Sequence, residues 1–558
     1  MLLAVFSWGW IGIAAFLCGF AVLECVFTSE VNKKRGPDLY IMAGLCVLTV
    51  YAQFFSLFYK VGGASTGLLL IICLLIVCFL RKRLWEFFIR LMHGSKWYWQ
   101  VFFLFLAFVI LILTVQCTFH SDTDLYHAQS IRWIESLGVV KGLGNLHNRF
   151  AYNSAFFSLQ ALFSLEFLVN QSLHTMNGFI VFVMLCYAIG SLGIFKGERV
   201  KSSDLLKLCL VYYLCFFENR WQISSPGSDI SALSMVLYIS AKWCELSEKS
   251  SGDMTEYGVL CLLAVWASTL KLSASIIVLL AVYPAVSLIR KRRWKQIALF
   301  LGSGLIILLP FLIRNVIISG YLIYPFSAID LFDVDWKMSP AMLRDDSMEI
   351  KAWARGMTAR EDYGAPFSMW FPGWLSSLSI GYKALLLCNI AGICYVLIYG
   401  IICFRHKRDM EKVQLLAVSA ADLIFWFVSA PLIRYGAVYL WVLPALILGE
   451  FCARQKRIRL PQVCAAVISV TGVALLLKTT AFYGGIPWVR PVEYTYCNVR
   501  QEQLDGIIIY VPEEGAEVGY HFFPSTPYMW MLNRIELRTG RLEDGFRLKE
   551  EYENAGQE

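Results

Sequence analysis

Charge is scarce in this 558-residue chain: Asp, Glu, Lys and Arg together make up 16% of it, against about 25% in an average soluble domain. That shortage excludes a disordered chain and an ordinary cytosolic enzyme. No C-x-x-C pair occurs among the 17 cysteines, and most of them, Cys18, Cys46 and Cys261 for example, lie inside apolar runs. Neither a zinc site nor a disulfide framework is supported. There is no Walker-type loop and no G-x-G-x-x-G after a strand, which argues against nucleotide chemistry. The net charge of +8 is not gathered into a basic stripe interleaved with aromatics, so no nucleic-acid partner is expected.

What the chain has in abundance is apolar surface. Hydrophobic residues reach 58%, aromatics 15%, and the mean hydropathy is +0.59. The apolar residues fall in long blocks separated by short charged ones, the pattern of a polytopic membrane protein. Blocks at 3–26, 39–58, 64–80, 100–118, 174–195, 206–217, 229–245, 257–270, 272–289, 296–313, 381–404, 413–429, 435–451 and 461–480 predict about 14 membrane helices. The first block lacks a basic flank and a small-residue cleavage site, so it reads as a retained span rather than a signal peptide.

Charge placement orients these spans. Seven short connectors, at 27–38, 81–99, 196–207, 242–256, 290–295, 405–412 and 454–459, hold 27 of the 49 Lys and Arg. They include Lys33-Lys34-Arg35 and the run from Arg290 to Arg293. Positive charge marks the cytoplasmic side, which places both termini outside the cytoplasm. Three long polar segments, 119–173, 314–380 and 481–558, and two short ones around 218–229 and 430–434, then share the outer face.

The first long segment contains Phe119-His120-Ser121-Asp122-Thr123-Asp124-Leu125-Tyr126-His127. Leu125, Ala128, Ile131, Ile134 and Leu137 recur every three residues and Gly138 follows, which predicts a helix lying at the membrane surface. Ser121 and Asp124 fit a capping box, and Asp122 complements the helix dipole. Two carboxylates and two histidines within eight residues exceed what a cap needs, and a carboxylate so placed suits proton removal from a hydroxyl. Further on, Asn145, His147 and Asn153 lie among aromatics, as in a sugar-binding surface or an amide-capped turn.

Other polar groups interrupt apolar sequence. Asp229 closes the turn Ile223-Ser224-Ser225-Pro226-Gly227-Ser228-Asp229, and Lys271 stands between two apolar blocks. An ionisable group at such depth faces a cavity, a partner or the interface. Arg314 and Arg434 each border a span, and arginine suits bidentate phosphate binding as well as simple headgroup contact. The Trp370–Trp374 run fits an aromatic interface belt better than a stacking platform. Ile507–Val511 predicts a short strand in a small C-terminal cap, which shows no catalytic constellation of its own.

The strings DTDLYHAQSIRWIE, GLGNLHNRFAYNS, ISSPGSD, TLKLSA, RNVIISGYLIYP, APLIRYG and IELRTGRLEDGFR resemble a bacterial family of multi-span membrane proteins called LIC_10190-like, over most of the chain from about residue 119. The plan of a span, an outer loop with a conspicuous Asp, six further spans and a second large outer loop is similar to that of the GT-C membrane glycosyltransferases. Three spans precede that unit here, a departure from the GT-C plan.

That resemblance implies an all-α polytopic, GT-C-like fold with a small extracytoplasmic C-terminal α/β segment, seated in the bacterial cytoplasmic membrane. It divides the chain into N-terminal spans (1–99), a GT-C-like module (100–313), a second outer loop (314–380), C-terminal spans (381–480) and a tail (481–558). It implies a glycosyltransferase that takes sugar from a polyprenyl-phosphate donor and builds or modifies a cell-surface polysaccharide. Asp122, then Asp124, would be the catalytic carboxylate. From the residues themselves, Asn145, His147 and Asn153 are expected to hold the acceptor, Arg314, Arg434 and Lys271 the donor phosphate, with Tyr126, His127 and Asp229 as further substrate-binding candidates. Asp122-Thr123-Asp124 has the D-x-D spacing that some relatives use for a divalent metal; no other cofactor is expected. A transporter or flippase of lipid-linked sugars, and a polysaccharide polymerase or ligase, remain as alternatives.

Overall fold

The computed structural model describes all residues except 29–34, 95, 194–198, 218–221, 250–252, 407, 455–459, 483–484 and 554–558. Lys33, Lys34, the basic run 455–459 and the start of the 218–229 turn therefore lie outside the described residues.

The chain is 71% helical. Each of the fourteen apolar blocks is helical, but their lengths differ. Among the described residues, nine helices are long and apolar enough to cross a membrane: Leu2–Cys25, Pro37–Ser56, Gly63–Met92, Trp97–Thr114, Leu272–Arg290, Trp294–Ser319, Ile380–His406, Met410–Ser429 and Ile433–Ala453. The other blocks form helices that are shorter or more polar, such as Met176–Gly190 with 15 residues and Met254–Leu270 with 17. Polar side chains along Asp229–Glu248, including Lys242 and Glu245, find ion-pair partners inside the bundle rather than lipid.

Two of the hydrophobic cores among the described residues position the polar segments. The larger one packs the apolar helices against one another, with Trp266 Nε1 donating to Thr49 Oγ1 at 3.0 Å across it. The smaller core gathers side chains from all three long polar segments: Trp133, Leu146, Tyr321, Met338, Ile509 and Phe546 are buried together. The tail is thus not a separate appendage. Its strands pair as two antiparallel hairpins, β1 (Val499–Leu504) with β2 (Ile507–Pro512) and β3 (Ile535–Leu537) with β4 (Phe546–Leu548). Main-chain bonds then stitch it to the first segment, Phe546 N to Lys141 O at 3.0 Å, and Val518 N and Gly519 N to Asp124 O at 2.9 Å each.

This arrangement corrects the expected surface helix. The stretch forms one π-turn, Thr123–His127, followed by the α-helix Ala128–Ser136. It is enclosed between the two cores, with Ile131 and Ile134 in the larger and Trp133 in the smaller. Gln129, on its polar side, donates to Gly519 O at 2.9 Å and Phe522 O at 2.7 Å. The three-residue recurrence reflects burial on two sides, not contact with a bilayer surface.

Candidate functional site

The π-turn sets the site. It widens the helix just after Asp122, a device common at functional positions, and no side chain caps it. Asp122 and Asp124 are freed from the capping role and meet different neighbours. The Asp122 carboxylate accepts from Arg434 Nη2 at 3.1 Å, with both side chains a quarter exposed (25%). The Asp122 backbone N–H donates to His120 Nδ1 at 3.2 Å, and Arg434 Nη1 lies 3.5 Å from His120 Nε2. Burial works to raise the Asp122 carboxyl, but His127, Arg434 and His120 together hold it below the usual carboxylate range. It stands as a carboxylate at neutral pH.

Around this pair the structure assembles a second one. Lys271 follows the end of helix Met254–Leu270 and precedes the 3-10 stretch Leu272–Ala281, on extended backbone. That break releases its side chain, and Nζ meets Asp229 Oδ1 at 2.6 Å. Tyr435 joins the two pairs, with Lys271 Nζ 4.6 Å and the Arg434 guanidinium 5.2 Å from its ring centre. The result is two carboxylates and two cations around one phenol ring.

Histidines and a turn close the other side. His127 is buried, its ring 5.7 Å from that of His120 and 4.3 Å from that of Tyr126. Burial lowers the imidazole to about 3 despite Asp122 nearby, so it is neutral at pH 7. Burial also raises the Tyr126 hydroxyl well above its ordinary value, with Asp122 and Asp229 adding to the effect. The ring of His127 rests on Gly227: a Cβ there would come within 2.6 Å of Cε1. Asn177 fixes the same turn, donating to Ser225 O and Gly227 O at 2.7 Å each, and Thr123 Oγ1 meets Ser225 Oγ at 2.9 Å. The string ISSPGSD is therefore the floor of the site.

Four of the expected residues lie elsewhere. Asn145 is fully buried and donates to Trp336 O at 2.9 Å, while His147 is fully buried against Phe150 and Tyr528. Asn153 accepts from Arg314 Nε at 3.0 Å and donates to Asn315 Oδ1 at 2.8 Å; Arg314 also donates to Ser56 Oγ at 2.5 Å. These groups brace the polar segments against the helices and do not meet Asp122. Asp124 also departs: burial, and then the charge of Glu517 in the tail, raises its carboxyl to about 6. Among the described residues no three His, Cys, Asp or Glu side chains gather as a metal site.

An apolar groove of ≈ 760 Å³ runs beside the polar cluster, lined by Trp374, Leu386, Ile390, Leu423, Trp426 and Phe427, with Lys383 and Ser376 also in its lining. Two of its tryptophans hold the turn that presents Arg434. Trp374 Nε1 donates to Pro431 O at 2.8 Å, and Trp426 Nε1 donates to Leu432 O at 2.9 Å. Gly436, where the helix after Arg434 is kinked, lets the Trp426 ring approach: a Cβ would lie 2.2 Å from it. The Trp370 and Trp374 rings are buried, which makes the run a structural anchor rather than an interface belt.

Residues 1–441 match the model of a single family, described as Domain of unknown function (DUF8201). The chain belongs to the DUF8201 family. No curated protein and no solved structure matches it. The family match ends inside the helix that begins at Ile433, so all the polar groups of the site, from His120 to Tyr435, fall within the DUF8201 region, while the tail that covers the smaller core follows it. Two members of the site, His120 and Tyr435, were not singled out from sequence as ligand-binding. Their adjacency to Asp122 and Arg434 is the signal that could have found them.

Proposed function

We propose that this DUF8201 protein is an integral-membrane glycosyltransferase that uses a polyprenyl-phosphate-linked sugar on the extracytoplasmic face to build or modify a cell-surface polysaccharide. The observation that carries the reading is that Arg434, paired with Asp122, follows a turn held by two tryptophans of an apolar groove. The apolar lining suits a lipid chain, and two of its tryptophans hold the turn that leads to Arg434, the residue suited to the lipid's phosphate.

The chemistry follows from the pair. Arg434 neutralises Asp122 where the two pair, which makes Asp122 a weak base. A lipid phosphate competes for the guanidinium and for Lys271, and Asp122 regains basicity as Arg434 turns to the phosphate. The acceptor hydroxyl gives its proton to Asp122, its oxygen bonds to the anomeric carbon, and the bond from that carbon to the phosphate oxygen breaks. The lipid phosphate leaves with the electron pair, held by Arg434 and Lys271. Neutral His127 and Tyr126 shape the acceptor side without adding charge.

A second reading, a transporter of lipid-linked sugars, draws on one observation, the charged Lys271 between two apolar helices, since ionisable groups at membrane depth mark transport pathways. The two separate in liposomes loaded with lipid-linked sugars from the native membrane. A transferase consumes the donor and extends a glycan; a transporter only relocates it. Donor that changes leaflet with its sugar still attached would rule the transferase out.

A further inference from the structure

A second cavity, ≈ 300 Å³, lies in the polar cap where all three long segments meet. Asn148 of the first segment, Asp345 and Tyr363 of the second, and Trp530, Arg534 and Tyr552 of the tail are in its wall. Its size is at the small end of ligand pockets, about 300–1,000 Å³.

The charges of the wall decide what it can hold. Each carboxylate already has a cation. Asp345 takes Arg360 Nη2 at 2.7 Å, and Asp346 takes Arg149 at 3.3 Å and Asn148 Nδ2 at 2.9 Å. Glu349 lies 3.6 Å from Arg149. A metal ion or a polyamine would have to displace these guanidinium groups, and a phosphate or uronate would meet three carboxylates. Neither sign of ligand charge is favoured. What remains is a fixed set of hydrogen-bond acceptors and donors beside aromatic rings. Arg534 sits 5.1 Å from the Trp530 ring centre and 5.4 Å from that of Tyr552, which holds both rings in place. Trp530 remains 47% exposed. Hydroxyls that both donate and accept, on a ring with apolar C–H faces, match that combination.

We propose that this cavity is a saccharide-binding subsite that holds a neutral sugar unit of the glycan acceptor. Arg149 ties the cavity to the first polar segment, the one that carries Asp122, by pairing with Asp346 and Glu349 of the second. The role as acceptor subsite rests on the transferase reading; the binding does not.

The test uses the full-length protein in nanodiscs, without any lipid donor. The probes are neutral oligosaccharides released from the surface glycan of the host cells, read by saturation-transfer NMR and titration. Saturable binding is expected, weakened about tenfold or more by Trp530→Ala and by Tyr363→Ala, as for other aromatic anchors. Asp345→Asn, at a half-exposed position, weakens it with an unchanged melting curve. Absence of saturable binding, equal affinity in all three variants, or preference for an acidic oligosaccharide or a lysine-rich peptide would overturn the proposal. Intact binding here with no glycan extension in the donor-loaded liposomes would sink the transferase reading alone, and extension there with no binding here would sink the subsite alone.

Discussion

Arg434 and Asp122, 312 residues apart in sequence, meet with Nη2 and Oδ2 at 3.1 Å. The contact brings the turn after helix Met410–Ser429 onto the π-turn of the first polar segment. It is only part buried, so its strength in the resting protein is modest. A cation held weakly beside a carboxylate is free to exchange partners, and the account of phosphate-triggered basicity depends on that exchange.

The Asp229–Lys271 pair is less exposed, at 17% and 22%. Lys271→Met leaves the Asp229 carboxylate without its cation and is expected to cost about 3 kcal/mol, at the low end for breaking a buried pair. Adding Asp229→Asn should restore part of that loss. Thermal unfolding of the two single variants and the double variant checks it, and strictly additive losses would show that the pair is not coupled.

Asp124 gives the tail a pH dependence. Its carboxyl is raised to about 6 in the folded chain, through burial and then Glu517. The folded state therefore prefers the protonated acid. The stabilisation is complete below the ordinary carboxylate value near 4 and is lost as pH rises through about 6. Asp124→Asn is expected to raise the melting temperature at pH 8 and to change it little at pH 4. Hydrogen exchange at Val518 and Gly519, which donate to Asp124 O, locates the effect in the tail.

Arg314 is expected to support structure rather than phosphate. Arg314→Met leaves Asn153 Oδ1 and Ser56 Oγ without their donor, a loss of roughly 1–3 kcal/mol for buried polar groups. A lower melting temperature with unchanged KM for the lipid donor is the predicted pattern. A raised KM at normal stability would return Arg314 to the donor site.

Ile390 lines the apolar groove yet is 60% exposed in the protein alone. Ile390→Trp narrows the groove without disturbing a packed core. It should raise KM several-fold for a long polyprenyl donor and leave a short-chain donor unaffected, the signature of lost uniform binding. Equal effects on both donors would place the chain elsewhere.

Much of the fold was legible because long apolar runs have one physical outcome, a helix, and each of the fourteen blocks forms one. Their number as membrane spans was not legible, since helices such as Asp229–Glu248 satisfy their polar residues by pairing inside the protein. The reading of Asp122, Asp229, Lys271 and Arg434 as special rested on charge beside apolar sequence, and the structure gathers these four around Tyr435. Asn145, His147 and Asn153 misled because amides and histidines in a dense string look alike whether they meet a sugar or a buried carbonyl. Asn145 meets the carbonyl of Trp336, a partner 191 residues away that no local pattern announces. The enclosure of 128–136 was hidden for the same reason: its second cover is the tail.

The central claim is that Asp122 is the base of an extracytoplasmic transfer. The most direct measurement is the surface-glycan profile of native host cells carrying Asp122→Asn, with the level of the membrane protein checked by blot. Removal of a general base typically costs about 10²–10⁴-fold in rate, so a lost or truncated glycan at normal protein level is the predicted result. An unchanged glycan at normal protein level would contradict the account and leave the Asp122–Arg434 contact as a structural ion pair.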